Sequence, residues 1–204
     1  MKIVQPKTTL SQQEEHLFRV LSSERFLKME GLGNEVAHFI YDYDPTWALE
    51  AAQAKKRLKT KLETEEGITV LEINLYELCV DLLKERNVWD RVLAGEPTMD
   101  KPEFLKMLQS MLDPQIHLAP AVKARTEAAS FQILFLTGIG EVFPFLRSHT
   151  VLNNLQTVVS QKPMLMFFPG RYSVSATQGS ALVLFGLLKD DSFYRAKRIL
   201  DQEA

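Results

Sequence analysis

Residues 131–172 read FQILFLTGIGEVFPFLRSHTVLNNLQTVVSQKPMLMFFPGRY, and three changes of pattern within them decide the fold. An apolar run (Phe131, Ile133, Leu134, Phe135, Leu136) stops at Gly138 and Gly140. A run so short, bounded by glycine, reads as a buried strand. A loop holding Glu141, Arg147 and His149 follows. Val151, Leu152, Leu155, Val158 and Val159 then fall on one face of a helix. A second buried run, Met164 to Phe168, ends at Pro169-Gly170. Strand, loop, helix and strand in this order make a parallel crossover unit.

The same alternation extends outward in both directions. Upstream, ITVLEINL at 68–75 reads as a strand, and Leu75, Leu78, Cys79, Leu82 and Leu83 share one face of a helix over 76–86. AHFIY at 37–41 reads as the first strand. Asp44 as N-cap and Pro45 as first helical residue start a helix reaching about residue 64. Its buried face carries Trp47, Ala51, Ala54 and Leu58, and Lys55, Lys56, Arg57, Lys59 and Lys61 lie on the other side. Ser11 with Glu14 reads as a capping box for a helix with Leu17, Phe18 and Leu21 inward. Leu27 and Met29 belong to a second helical piece ended at 31–34.

Between 87 and 130 the pattern is helical but broken. A helix from Pro102 buries Phe104, Leu105, Leu108, Met111 and Leu112, then stops at Asp113-Pro114, and another piece is interrupted near Pro120. Downstream, ALVLFGLL at 181–188 reads as a fifth strand, and SFYRAKRIL at 192–200 as a short helix or an edge strand. The fold class expected is therefore α/β. It is a mainly parallel sheet of about five strands with helices on both faces and a helical insertion at roughly 87–130, in a single domain over 1–204.

Composition excludes several classes of function. With 24 cationic residues against 26 acidic ones the formal charge is −2, too near neutrality to make a field for nucleic acid or an acidic membrane. One cysteine rules out an intrachain disulfide framework and suits a reducing compartment. No run approaches the roughly 18 apolar residues of a membrane span, and MKIVQPKTTLS lacks the apolar core of a signal peptide. The cytoplasm is the expected location.

An open α/β sheet binds ligands beyond the carboxyl ends of its strands. Parallel strands would gather Asp42, Asp44, Asn74, Thr137, Glu141, Arg147, His149, Arg171 and Tyr172 there. Arg147 and His149 precede a helix start, which attracts anions. The plainer reading is that these polar residues are solvated or cap helices. No phosphate loop occurs, and Gly138-x-Gly140 has Phe143 where the dinucleotide fingerprint requires a small residue. The pair Gly31-x-Gly33 precedes a strand instead of following one. His16, His38, His117 and His149 lack metal-ligand spacing, Cys79 belongs to an apolar helix face, and no G-x-S-x-G elbow occurs. The basic run 55–61 could meet phosphates, but glutamates follow it and no aromatic residues are interleaved for base stacking. No metal, cofactor or catalytic set is expected.

LFLTGIGEVFPFLRSHTVLNNLQ followed by MFFPGRYS resembles the BrxB family, a small component of bacteriophage-exclusion (BREX) defence systems. The likeness extends to HLFRVLSSERFLKMEGLGNEVAHFIYDYDP, VLEINLYELCVDLLKERNVWD and LVLFGLLKDDSFYRA, nearly the whole chain. The resemblance implies a non-enzymatic accessory subunit that docks another BREX protein. The alkaline-phosphatase-like protein comes first, then the AAA-type ATPase or the adenine-specific DNA methyltransferase. It brings no catalytic residues and points to Glu141, Pro144, Arg147, Ser148, His149, Asn153, Asn154, Pro169, Gly170 and Tyr172 as recognition candidates. Taken with the sheet-edge reading, Asp42, Glu141, Arg147, His149, Arg171 and Tyr172 are the candidates for partner or anion binding. Two other readings stay open: a degenerate nucleotide- or phosphate-binding sensor, and a DNA-contacting module using 55–61.

Overall fold

The computed structural model describes residues 9–30, 37–175, 179–191 and 196–204. Helices α1 (Leu10–Ser22) and α2 (Glu24–Leu27) precede β1 (His38–Tyr43), and α3 (Ala48–Glu65) leads to β2 (Val70–Asn74). Helices α4 (Leu75–Glu85), α5 (Trp89–Gly95), α6 (Lys101–Met111) and α7 (Ala119–Ala128) then lead to β3 (Ile133–Thr137). Helix α8 (Ser148–Leu155) joins β3 to β4 (Met164–Ser175), followed by β5 (Gly179–Leu184), β6 (Leu188–Asp191) and β7 (Lys197–Arg198).

The parallel part of the sheet runs β2-β3-β4-β1-β7. Its register sets Asn74 beside Thr137, Leu136 beside Met166 and Tyr43 beside Pro169. The expected α/β architecture is present, with two changes near its end. Pro169-Gly170 does not stop β4, which runs parallel to β1 as far as Pro169 and antiparallel to β5 from Gly170 onward. A Cβ on Gly170 would lie 2.2 Å from the Val183 carbonyl oxygen, so only glycine lets β5 approach there. Residues 181–188 are not one strand either. Phe185 (φ 56°) and Gly186 (φ 73°) both take the left-handed conformation, and the Leu187 N–H donates to the Leu184 carbonyl at 3.1 Å. That is the geometry of a tight primed hairpin turn, and it sends the chain back as β6. The fifth parallel strand is instead the two-residue edge strand β7.

Alternation along the strands divides the core into two layers. Phe39, Tyr41, Phe135, Leu165 and Phe167 pack with Leu17 and Leu21 of α1 and Leu58 and Leu62 of α3. Ile40, Leu134, Leu136, Met166 and Phe168 pack with α4, α7 and α8 through Leu78, Leu82, Val122 and Val151. Aromatic rings knit the first layer: Phe167 meets Tyr41 edge-on at 5.6 Å and Phe135 at 5.1 Å.

Local signals shifted by a residue or two. Thr9 and Gln12, not Ser11 and Glu14, form the capping box of α1, and Val20 takes the fully buried place expected of Phe18. Asp44 caps a single 3₁₀ turn, Pro45–Trp47, ahead of α3. Asp100 starts α6 by accepting from the Glu103 N–H at 2.8 Å. Asp113 then opens one π-helical turn, Pro114–Leu118, accepting from the Gln115 and Ile116 N–H groups, each at 2.9 Å. The expected break at 31–34 and the start of the segment 192–200 lie outside the described residues.

Two buried groups give tests of this packing. Burial pushes the Cys79 thiol up to about 12, so it should resist thiol reagents in the native protein, and rapid native labelling would contradict its place on the inner face of α4. His38 is fully buried, with Nε2 2.9 Å from the Val159 carbonyl oxygen and no partner at Nδ1. Burial lowers its pKa from 6.5 to about 4, partly offset by the Val159 hydrogen bond. The unfolded chain therefore binds more protons between those values, and stability should fall as pH drops from about 6.5 to 4, by about 3 kcal/mol for this group. His38→Gln keeps a donor for Val159 and should flatten the slope of melting temperature against pH in that window; an unchanged slope would contradict the assignment.

Candidate functional site

The carboxyl edge of the sheet sorts the sequence candidates into two groups. Asp42 and Tyr172 are internal. Asp42 is 6% exposed, and its carboxylate accepts from Arg198 Nε at 2.6 Å and from the Tyr172 N–H at 3.1 Å. The Tyr172 hydroxyl donates to the Ala196 carbonyl at 2.7 Å. Together these contacts tie β1, β4 and β7. Neither side chain can meet a partner without opening the sheet, which corrects their place among the recognition candidates. Arg198, the partner of Asp42, was not legible because 156 positions separate them.

Glu141, Arg147 and Arg171 are exposed, and none forms an ion pair among the described residues. They do not converge. Arg171 is paired in register with Val183 on the antiparallel extension and lines neither of the two depressions described next. Arg147 is the residue before α8 but makes no side-chain cap. His149 lies within the first turn of α8, its Nε2 3.0 Å from Thr150 Oγ1, and does not share the depression lined by Arg147. Of the other family-derived candidates, Ser148 is buried and the Asn154 amide donates to the Thr150 carbonyl at 2.8 Å.

The β5–β6 turn was missed at the sequence level and organises the surface. Leu187 is 84% exposed, and Phe185 and Leu188 are each 40% exposed. This apolar ridge separates two depressions. One, a groove of about 220 Å³, has Phe143, Phe168, Leu182 and Leu184 in its wall and Arg147 and Lys189 as its cations. The other, a crevice of about 300 Å³, lies where β1, β2 and β3 end, with Tyr43, Asn74, Thr137, Glu141 and Phe185 among its lining. Only Gly186 signalled the turn, through its interruption of an apolar run.

The crevice sits where parallel α/β sheets hold ligands, because β1 turns into α3 on one face and β3 into α8 on the other. The start of α4 beside it is already filled. Asn74 Oδ1 accepts from the Tyr76 and Glu77 N–H groups at 2.8 and 3.3 Å. Gly138 (φ 76°) follows β3 where a Cβ would lie 2.4 Å from that same oxygen, so a side chain there would displace the cap. Lys55 is bound to Glu72, whose Oε1 also accepts from Thr137 Oγ1 at 3.3 Å. Burial and the Glu141 charge push the Tyr43 hydroxyl up to about 12.

The basic face of α3 is likewise engaged. Besides Lys55, Arg57 pairs with Glu14 at 2.6 Å. Lys61 lies 3.8 Å from Glu65 and 3.9 Å from the Phe18 ring centroid. Three of the five cations of the run are thus engaged, while Lys56 and Lys59 make no ion pair among the described residues, so fewer are left to release counterions from phosphates. No described helix is long and apolar enough to cross a membrane.

The family model for BrxB, described as BREX protein BrxB, matches residues 71–199. A BREX protein BrxB of Bacillus cereus (strain H3081.97) is 33% identical over 183 residues, covering 89% of this chain and 93% of that protein. A BREX protein BrxB of Escherichia coli O9:H4 (strain HS) is 31% identical over 180 residues, covering 88% and 86%. No solved structure matches. The chain belongs to the BrxB family of BREX proteins.

Arg198→Ala should leave the Asp42 carboxylate buried with one N–H donor, a change that costs about 3 kcal/mol. For a chain of this size that lowers the melting temperature by on the order of 10 °C. Asp42→Asn, added to Arg198→Ala, removes the stranded charge and should recover part of the loss. Equal melting temperatures for wild type and Arg198→Ala would show that the pair does not hold the edge strand.

Proposed function

We propose that this member of the BrxB family is a non-enzymatic docking subunit of a BREX defence system. It binds another component of the system, the alkaline-phosphatase-like protein foremost, through the ridge at Phe185–Leu188 and the groove beside it. The observation that carries this reading is the exposure of three large apolar side chains on one turn, next to a guanidinium with no ion pair among the described residues. An aliphatic side chain left in water forgoes about 1.5–3 kcal/mol of burial, so a partner that covers Leu187 gains that amount. Arg147 offers a planar fork of donors suited to a carboxylate, and at the margin of an apolar patch it is the type of residue that dominates interface energies.

The non-enzymatic part rests on chemistry. Cys79 is buried and stays a thiol at physiological pH. His38 is buried among core residues and stays neutral.

Two measurements test the reading. With the whole BREX system co-expressed, Leu187→Asp and Arg147→Ala should weaken co-purification and phage protection while leaving the melting temperature unchanged. For Arg147→Ala the affinity loss should be on the order of 30-fold, about 2 kcal/mol. Retention of every partner by both variants would overturn the docking surface. Purified protein should not hydrolyse ATP, GTP or phosphodiesters, and turnover that disappears in Glu141→Gln would overturn the non-enzymatic reading.

A further inference from the structure

We propose that the crevice at the ends of β1, β2 and β3 recognises a cationic group, a guanidinium or an ammonium, and does not hold phosphate. This goes beyond the docking surface: Phe185 borders both, but the charge of the crevice comes from Glu141, whereas Arg147 and Lys189 line the groove.

Charge sets the sign. Lys55, the one cation among the described residues of the lining, is bound to Glu72. Glu141 lines the same space and is exposed; its N–H donates to the Gly138 carbonyl at 3.1 Å, but its carboxylate has no hydrogen bond or ion pair among the described residues. The pair cancels and one carboxylate is left over.

Phosphate sites on α/β folds depend on unsatisfied N–H groups at a helix start. Here both neighbouring starts are filled by the protein's own acceptors. Asn74 Oδ1 holds the Tyr76 and Glu77 N–H groups of α4. Asp44 Oδ1 holds the Thr46 N–H ahead of α3 at 3.0 Å. An incoming phosphate would find those donors occupied and meet Glu141 at the rim.

The walls suit a cation instead. Tyr43, Phe167 and Phe185 are among the lining residues, and aromatic rings attract a guanidinium or ammonium through their quadrupole. The Glu141 carboxylate can add charge-assisted hydrogen bonds. Burial and the Glu141 charge both disfavour ionisation of Tyr43, which keeps its hydroxyl a neutral donor and acceptor beside that carboxylate. At about 300 Å³ the space is at the small end of ligand pockets. It matches the head of one arginine or lysine side chain, or a short amine, better than a nucleotide.

The test uses the ¹⁵N-labelled full-length chain without partners, so its outcome is separate from that of the docking variants. N-acetylarginine amide and putrescine should each shift the Gly138 and Gly140 amides saturably, at least tenfold more weakly in Glu141→Gln and in Tyr43→Leu. Inorganic phosphate and ATP should give no saturable shift. If the arginine derivative saturates at the lower concentration, the source is a protein side chain; if putrescine does, it is a free polyamine. Saturation by phosphate or ATP would overturn the proposal. So would equal responses of Glu141→Gln and wild type to the cations, or no saturable response to either cation.

Discussion

The carboxylate of Asp42 is the constraint on which the distal half of the sheet depends. It sits one residue before the end of β1, where β4 leaves its parallel neighbour and begins its antiparallel run beside β5. A charge so deeply buried requires compensation. It takes one N–H from β4 and a guanidinium from β7. Those bonds fix the direction in which β4 continues, and β5, β6 and the exposed turn grow from that continuation. An apolar pair could pack the same space, but it would not select one donor on each of two neighbouring strands. We attribute the defined position of the ridge to that selectivity.

Topology supplies the second constraint. The connection from β1 to β2 passes β4 and β3 along the α3 face, whereas the path from β2 through β3 to β4 returns along the other face. The divergence opens a crevice at the strand ends, as it does in nucleotide-binding sheets. Here the geometry is retained but the chemistry differs. Asn74 occupies the helix start that would face a phosphate, and Gly138 is shaped around Asn74 and not around a ligand. A shared architecture therefore carries a site of different sign.

What the sequence made legible was periodic. The inner face of α4, from Leu75 to Leu83, is buried as its spacing implies. The strands that flank α8 pair in parallel, because period-2 and period-3.6 patterns report burial directly. The resemblance carried by 134–156 agreed with the family match. What stayed hidden depended on contacts distant in sequence or on backbone torsions. Asp42 and Tyr172 read as exposed loop-end groups because a polar residue at a strand end gives no sign of its partner. Residues 181–188 read as one strand because both arms of the hairpin are apolar and a left-handed Phe185 is uncommon. Arg147 and His149 are two residues apart, yet only Arg147 lines the groove, since the helix begins between them.

The central claim is that partners meet this chain at the β5–β6 turn and the adjoining groove. Amide hydrogen exchange of the chain alone and within the assembled BREX complex measures this directly. Binding should add protection at 143–147 and 182–189 and leave α5 and α6 unchanged. Protection confined to α5–α7, with the turn exchanging as it does in the isolated chain, would place the interface on the helical insertion and contradict this assignment.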